Sequence, residues 1–190
     1  MLRHEDRELR EAEREALKAF WRGNQEEPLI LERHDTYQVC EVLFPTTFTH
    51  LIWPIRGFMV GMISLIPVSW LKVFLFRLFG VKIGRGVYIA PNALIDPLYP
   101  SLVELEDGCF LGMGCKLFAH EYTATHFRMG RVRVGKGSVI GGYAVVRAGV
   151  SIGKKATVGF LSYVNKDVPD GATVGGVPAR DLKKENDQTV

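Results

Sequence analysis

This sequence is short of cysteine, of net charge and of any apolar run long enough to cross a bilayer. Each shortage closes off a class of protein. Three cysteines in 190 residues, Cys40, Cys109 and Cys115, form no CxxC pair. So sparse and odd a count argues against a disulfide scaffold and suits a reducing compartment. The net charge is only +3, with no basic stripe interleaved with aromatics, so no nucleic-acid partner is expected. The first twenty residues are charged, with neither an apolar core nor a cleavage site, so no secretory signal is expected. The uncharged run 57–71 falls short of the roughly 20 residues that span a bilayer. Pro54 and Pro67 break up the apolar stretch around it. With 47% hydrophobic and 24% charged residues, what remains is a globular chain.

Three regions differ in character. Residues 2–22 read as an amphipathic helix with Leu9, Ala12, Ala16, Leu17 and Phe20 near one face and Gly23 as its stop. Residues 24–50 show no strong periodicity. Residues 51–80 are the apolar part, and the stretch 70–79 is apolar nearly all round, with Lys72 and Arg77 as its only charges. Trp and Phe beside Lys and Arg suit peripheral membrane contact through 51–80. A helical cap packed on the rest of the domain or on a neighbouring subunit accounts for the same residues, so both readings stand.

From Val81 an aliphatic residue recurs every six positions: Ile83, Ile89, Ile95, then Leu105, Leu111, Leu117, then Val134, Ile140, Val146, Ile152, Val158, Val164. A small or β-branched residue lies two places before each, and glycine often follows, as at Gly84, Gly141 and Gly159. This is the signature of a hexapeptide solenoid, one short strand and one corner per repeat and three repeats per triangular coil. About five coils are expected. Cys109 and Cys115 fall in the small inward slot and read as core filler. The repeat breaks twice. Four extra residues intrude between Ile95 and Leu105; between Leu117 and Val134 five remain beyond two repeats. Insertions in a solenoid become loops on one face, often the functional face. The second break holds His120 and His126, candidates for a general base because imidazole titrates near neutrality.

Residues 81–180 resemble the left-handed β-helix hexapeptide-repeat acyltransferases, among them the maltose, galactoside and xenobiotic O-acetyltransferases. The resemblance is carried by KIGRGVYI (82–89), IDPLYPSLVELEDG (95–108), HEYTATHFRMGRVRVGKG (120–137), VIGGYAVVRAGVSIG (139–153) and VNKDVPDGATVGGVPAR (164–180). It implies a mainly β chain: a helical, partly apolar segment at 1–80, the left-handed parallel β-helix at 81–180 and a polar tail at 181–190. It also implies acetyl-CoA as acyl donor, no metal, a homotrimer with inter-subunit active sites, and a sugar or glycolipid-type acceptor. The expected place is the cytoplasm, with membrane association on the cytoplasmic face.

The resemblance names site residues one by one. HEYTATHFRMGRVRVG matches a branch that selects His120 as base without a gap, and the upstream IDPLYP (95–100) matches the same branch. YTATH (122–126) matches the maltose-type string, which selects His126 and requires four inserted residues. His120 is preferred, with His126 as a substrate contact or spare; the competing reading is that both are exposed loop residues without a catalytic role. Asn92 and Asp96 match positions that contact or orient the acceptor, although turn chemistry explains them equally. Glu121 and Arg128 are expected to shape the acceptor pocket. Gly141, Gly142, Gly159 and Phe160 fall along the pantetheine arm, where structural glycine at a corner is the competing reading. Lys166 and Arg180 match positions near the coenzyme A phosphates. Phe160 and Leu161 stand where the family often has small residues, and would narrow the tunnel. Two other functions use such a solenoid: a non-catalytic trimeric scaffold, and a γ-carbonic-anhydrase-like metalloenzyme with three zinc-binding histidines. The solenoid here holds two histidines, while His4, His34 and His50 lie before it.

Overall fold

The computed structural model describes residues 4–22, 27–32, 47–123 and 125–182. Gly23 and Cys40 lie outside them, as does the side chain of Leu9. The hexapeptide pattern works because an aliphatic side chain pointing inward repeats once per face, so identical positions stack from coil to coil. Three parallel sheets result. Ile83, Leu105, Val134 and Ile152 form one register column, which a bridge to Val168 extends. Ile89, Leu111, Ile140, Val158 and Val174 form the second. Ile95, Leu117, Val146 and Val164 form the third. From Ile89 to Val164 every member of the three columns is 2% exposed or less. Each such side chain contributes about 1.5–3 kcal/mol on burial. Cys109 and Cys115 fill inward slots, as expected.

Glycine follows the aliphatic residue because stacked corners nearly touch. A Cβ on Gly112 would lie 2.6 Å from the Gly142 nitrogen, and one on Gly141 would lie 2.7 Å from the Gly159 carbonyl carbon. The register gives four complete coils and two faces of a fifth, through Val168 and Val174, in line with the count of about five. The second break, however, is different in kind. Leu117 ends the third sheet's strand and Val134 belongs to the first sheet of the next coil. The segment therefore carries eleven residues beyond a single repeat and hides no further repeat. Both breaks fall at the same corner, one coil above the other.

The longer break folds as a hairpin of β8 (His120–Tyr122) and β9 (His126–Met129). The strand β1 (Leu29–Glu32) pairs antiparallel with β9 and completes a three-stranded sheet. Leu29 and Leu31 stand opposite Met129 and Phe127, and Leu31, Phe127 and Met129 are buried. The helix α1 (His4–Arg22) leads towards β1 and buries Phe20, with Arg131 lying over its ring at 5.9 Å; Ala12 on the expected apolar face is exposed.

The helices α2 (Thr47–Ile63) and α3 (Ser69–Leu78) close the first coil. An open solenoid end would present unpaired backbone groups. Here the Ile89 N–H donates to Ser69 Oγ (2.9 Å), the Asn92 N–H to the Ser64 carbonyl (2.9 Å), and Lys72 Nζ to the Ala90 carbonyl (2.5 Å). Arg77 donates to the carbonyls of Ile83 and Gly84, each at 2.8 Å. The two helices pack on the first coil, as in the cap reading of 51–80. At the other end β17 (Arg180–Asp181) folds back antiparallel on β16 (Thr173–Gly175).

Candidate active site

Stacking the two breaks at one corner brings Asp96, which begins the first, beside His120, which opens the second. Asp96 is fully buried. Its Oδ1 accepts the N–H groups of Leu98 and Tyr99, both at 2.9 Å. Its Oδ2 accepts those of Ala119 (2.8 Å) and His120 (3.1 Å). The same Oδ2 lies 2.6 Å from His120 Nδ1. Four backbone donors hold the carboxylate in place, and the carboxylate holds the imidazole. In the tautomer that donates Nδ1–H to this carboxylate, Nε2 is the ring nitrogen with the free lone pair. Around the ring pack Tyr99 at 5.2 Å, Tyr122 at 5.7 Å and Phe127 at 6.4 Å between centroids. The His120 side chain keeps 13% exposure. Trp21 of α1 lies 6.2 Å from Tyr99, so the N-terminal helix reaches the rim of this cluster.

The other expected site residues divide into three groups. His126 lies at the far end of the hairpin, where its ring Nδ1 meets the Thr125 hydroxyl at 3.1 Å. Cross-strand pairing of His120 with Met129 and of Glu121 with Arg128 puts His126 on the opposite face of the hairpin from His120. Glu121 and Arg128 share that opposite face. Glu121 makes a two-pronged ion pair with Arg147, both oxygens 2.9 Å from Arg147 Nε, and Arg128 Nε donates to the Ala148 carbonyl at 3.0 Å. Hydrogen bonding to Glu121 pushes the Arg147 guanidinium above its ordinary value, whereas burial, then Arg147, pulls Arg128 below it. These two residues brace the hairpin on the next coil and do not line the ring cluster. Asp96, expected at the acceptor, is instead sealed beneath His120.

Asn92, Gly141, Gly142, Gly159 and Phe160 sit at a different corner, between the second and third sheets. Asn92 holds a left-handed conformation there (φ 59°), the turn role considered for it. Gly141 is required by the stacking distance already given, and a Cβ on Gly142 would lie 2.8 Å from the Phe160 ring. Phe160 and Leu161 project outward, 77% and 69% exposed, beside exposed Met113 and Tyr143. Within one chain this corner and His120 are not brought together.

Lys166 and Arg180 share a cavity of about 320 Å³ at the C-terminal end of the solenoid, lined also by Asn165, Asp167 and Asp181. Asn165 Oδ1 is buried there with no hydrogen-bond partner among the described residues. The lining thus carries two cations and two carboxylates. Among the described residues no group of three or more His, Cys, Asp or Glu side chains is placed to hold a metal ion.

Sequence reasoning missed Tyr99, Tyr122, Phe127 and Arg147. Tyr99 was within reach, since it lies inside the IDPLYP string that pointed to His120.

Comparison with known proteins bears on the family and the fold. The family described as the hexapeptide repeat of succinyl-transferase matches residues 131–160. YvoF of Bacillus subtilis, named as an acetyltransferase, is 35% identical over 115 residues, which cover 60% of this chain and 67% of YvoF. The galactoside O-acetyltransferase of Escherichia coli is 35% identical over 111 residues, 58% of this chain and 47% of that enzyme. The crystal structure of the hexapeptide-repeat acetyltransferase VCA0836 from Vibrio cholerae, complexed with acetyl-coenzyme A, superposes with a TM-score of 0.58 at 19% identity, over 72% of this chain and 88% of that one. That likeness shows the fold, a left-handed parallel β-helix. On the repeat, the fold and the identity to YvoF, this chain belongs to the hexapeptide-repeat acetyltransferases.

Proposed function

We propose that the protein transfers an acetyl group from acetyl-CoA to a hydroxyl or amine of a sugar or glycolipid acceptor, with His120 as general base and Asp96 as its positioning residue. The observation that carries this reading is the 2.6 Å contact between His120 Nδ1 and a carboxylate that is fully buried and held by four backbone N–H groups. Nε2 takes the acceptor's proton as its oxygen or nitrogen attacks the thioester carbonyl. The tetrahedral intermediate then collapses, the carbon–sulfur bond breaks, and the coenzyme A thiolate leaves with the proton that His120 held. The acetyl-CoA complex of VCA0836 and the names of the E. coli and B. subtilis relatives support the donor and the reaction class.

The corner that carries Gly141, Gly142, Gly159 and Phe160 is expected to meet His120 from a second copy, in a homotrimer with sites between subunits. Backbone N–H groups of that corner would then receive the developing oxyanion. Phe160 and Leu161 then face the pantetheine arm. Lys166 and Arg180 take the phosphates. The cytoplasm is the proposed location, since two buried free thiols, Cys109 and Cys115, suit a reducing compartment.

Melting temperature with and without acetyl-CoA tests the donor. A ligand at about 100 times its dissociation constant stabilises the folded state by about 2.7 kcal/mol. The shift is expected in wild type, His120→Ala and His126→Ala alike. Coenzyme A release on a panel of sugar acceptors is expected to vanish in His120→Ala and persist in His126→Ala. No shift in wild type would point to a different donor or to a scaffold; loss of turnover in His126→Ala alone would move the base to His126.

A further inference from the structure

We propose that the outer face of α2 and α3 docks on an anionic lipid bilayer, so that the two helices lie in its headgroup region. The cap has two sides. Its inner side closes the first coil. Its outer side exposes Ile55, Phe58, Met59 and Met62 from α2 and Trp70, Phe74 and Leu78 from α3, with Leu65 and Val68 between the helices. Spacings of three, four and seven residues in α2, and of four and eight in α3, place each set along one face of its helix.

The helix α3 is inverted relative to one built for water. Its lysine, Lys72, is fully buried and spends its ammonium on the Ala90 carbonyl, while Trp70 is 73% exposed. A water-facing helix would turn the lysine out and the indole in. The outer face is therefore made for a non-aqueous neighbour.

Charge selects which neighbour. Residues 42–95 contain no Asp or Glu and five cations, Arg56, Lys72, Arg77, Lys82 and Arg85. Arg77 and Lys82 are exposed, and the side chain of Arg85 is 94% exposed, 3.9 Å from Asp107. Protein interfaces mix both signs around an apolar centre, whereas an apolar, tryptophan-bearing face on two helices that carry cations and no carboxylate complements anionic headgroups. Among the described residues no helix is long and apolar enough to cross a membrane, and α2, at 17 residues, contains Pro54. The two helices therefore lie on the surface.

The test is sedimentation of the full chain with vesicles of phosphatidylcholine, with and without roughly 30% phosphatidylglycerol. A variant carrying Phe58→Ser, Trp70→Ser and Phe74→Ser is run beside it, with its melting temperature as a check on folding. Wild type is expected to pellet with the anionic vesicles and less with neutral ones. The variant is expected to partition at least about tenfold more weakly at an unchanged melting temperature. Equal binding by the variant, or no pelleting of wild type with anionic vesicles, overturns the proposal. So does a variant that, without lipid, runs as a smaller oligomer by light scattering, since that assigns the face to a second copy. If the triple variant fails to fold, Trp70→Ser alone replaces it: weaker pelleting that falls further with salt supports the surface, and pelleting equal to wild type overturns it. None of these readouts uses acetyl transfer, so the surface and the reaction stand or fall separately.

Discussion

Replacing Asp96 by asparagine should damage the protein twice, once in stability and once in chemistry. The native carboxylate accepts five hydrogen bonds, two at Oδ1 and three at Oδ2. Asparagine offers one carbonyl oxygen and one NH2. If the NH2 takes the Oδ2 place, it faces the N–H groups of Ala119 and His120 and the ring N–H as well. If the amide is flipped, it faces the N–H groups of Leu98 and Tyr99. At least two buried donors lose their acceptor in either orientation. Each costs about 1–3 kcal/mol, so the loss is about 2–6 kcal/mol. For a chain of this length each kcal/mol lowers the melting temperature by about 2–4 °C, so a fall of at least about 4 °C is expected. The chemical effect is separable. An imidazole no longer held in one tautomer loses its role as base, and kcat should fall by about 10²- to 10⁴-fold. His120→Ala provides the contrast: it keeps all four backbone bonds to Asp96, so activity should vanish with a smaller loss of stability. Calorimetry and coenzyme A release, on both variants, read the two effects. Asp96→Asn with a melting temperature within about 1 °C of wild type and unchanged kcat would refute the reasoning.

Glu121→Ala should cost about 0.5–1.5 kcal/mol, since the pair with Arg147 is half-buried, and the loss should shrink at high salt; thermal melts at two ionic strengths check it. Lys72→Met removes a buried cation whose ammonium burial holds below its ordinary value of 10.5. Between the lowered folded value and 10.5 the unfolded lysine binds more protons than the folded one, so wild-type stability should rise relative to the variant as pH climbs towards 10.5; paired melts at pH 7 and at about pH 10 report the sign. Burial pushes the Cys115 thiol up to about 12, so iodoacetamide at about pH 8 should leave it unlabelled in the folded protein and modify it in denaturant, as peptide mass spectrometry would show.

The solenoid was legible because one inward aliphatic residue per six positions is a long, phase-locked signal that few other structures produce. Its second break misled for a physical reason. A spacing of seventeen residues does not say which face resumes: Leu117 closes the third sheet of one coil and Val134 opens the first sheet of the next, so no whole repeat fits between them. The strand β1 was invisible because four residues, LILE, are too short for a period, and its partner lies about a hundred residues away. The His120 preference came from a local string, but its carboxylate did not, because Asp96 is 24 residues distant. Counting the breaks by coil would have found it. Ile95 and Leu117 stack in one column, so whatever follows each must meet at the same corner. Glu121 and Arg128 were read as pocket residues because strand pairing, which decides the face they occupy, is not written in the string itself.

The helical cap has a consequence for how copies of this chain can associate along the solenoid axis. A parallel β-helix with a bare first coil is a template onto which another coil can add, and repetition of that addition is a filament. Ser69, Lys72, Arg77 and the Ser64 carbonyl occupy the hydrogen-bonding positions such an incoming coil would need. A chain beginning at Val81 would expose them all. The apolar helices thus act as a chain terminator, leaving lateral assembly open while forbidding growth end to end.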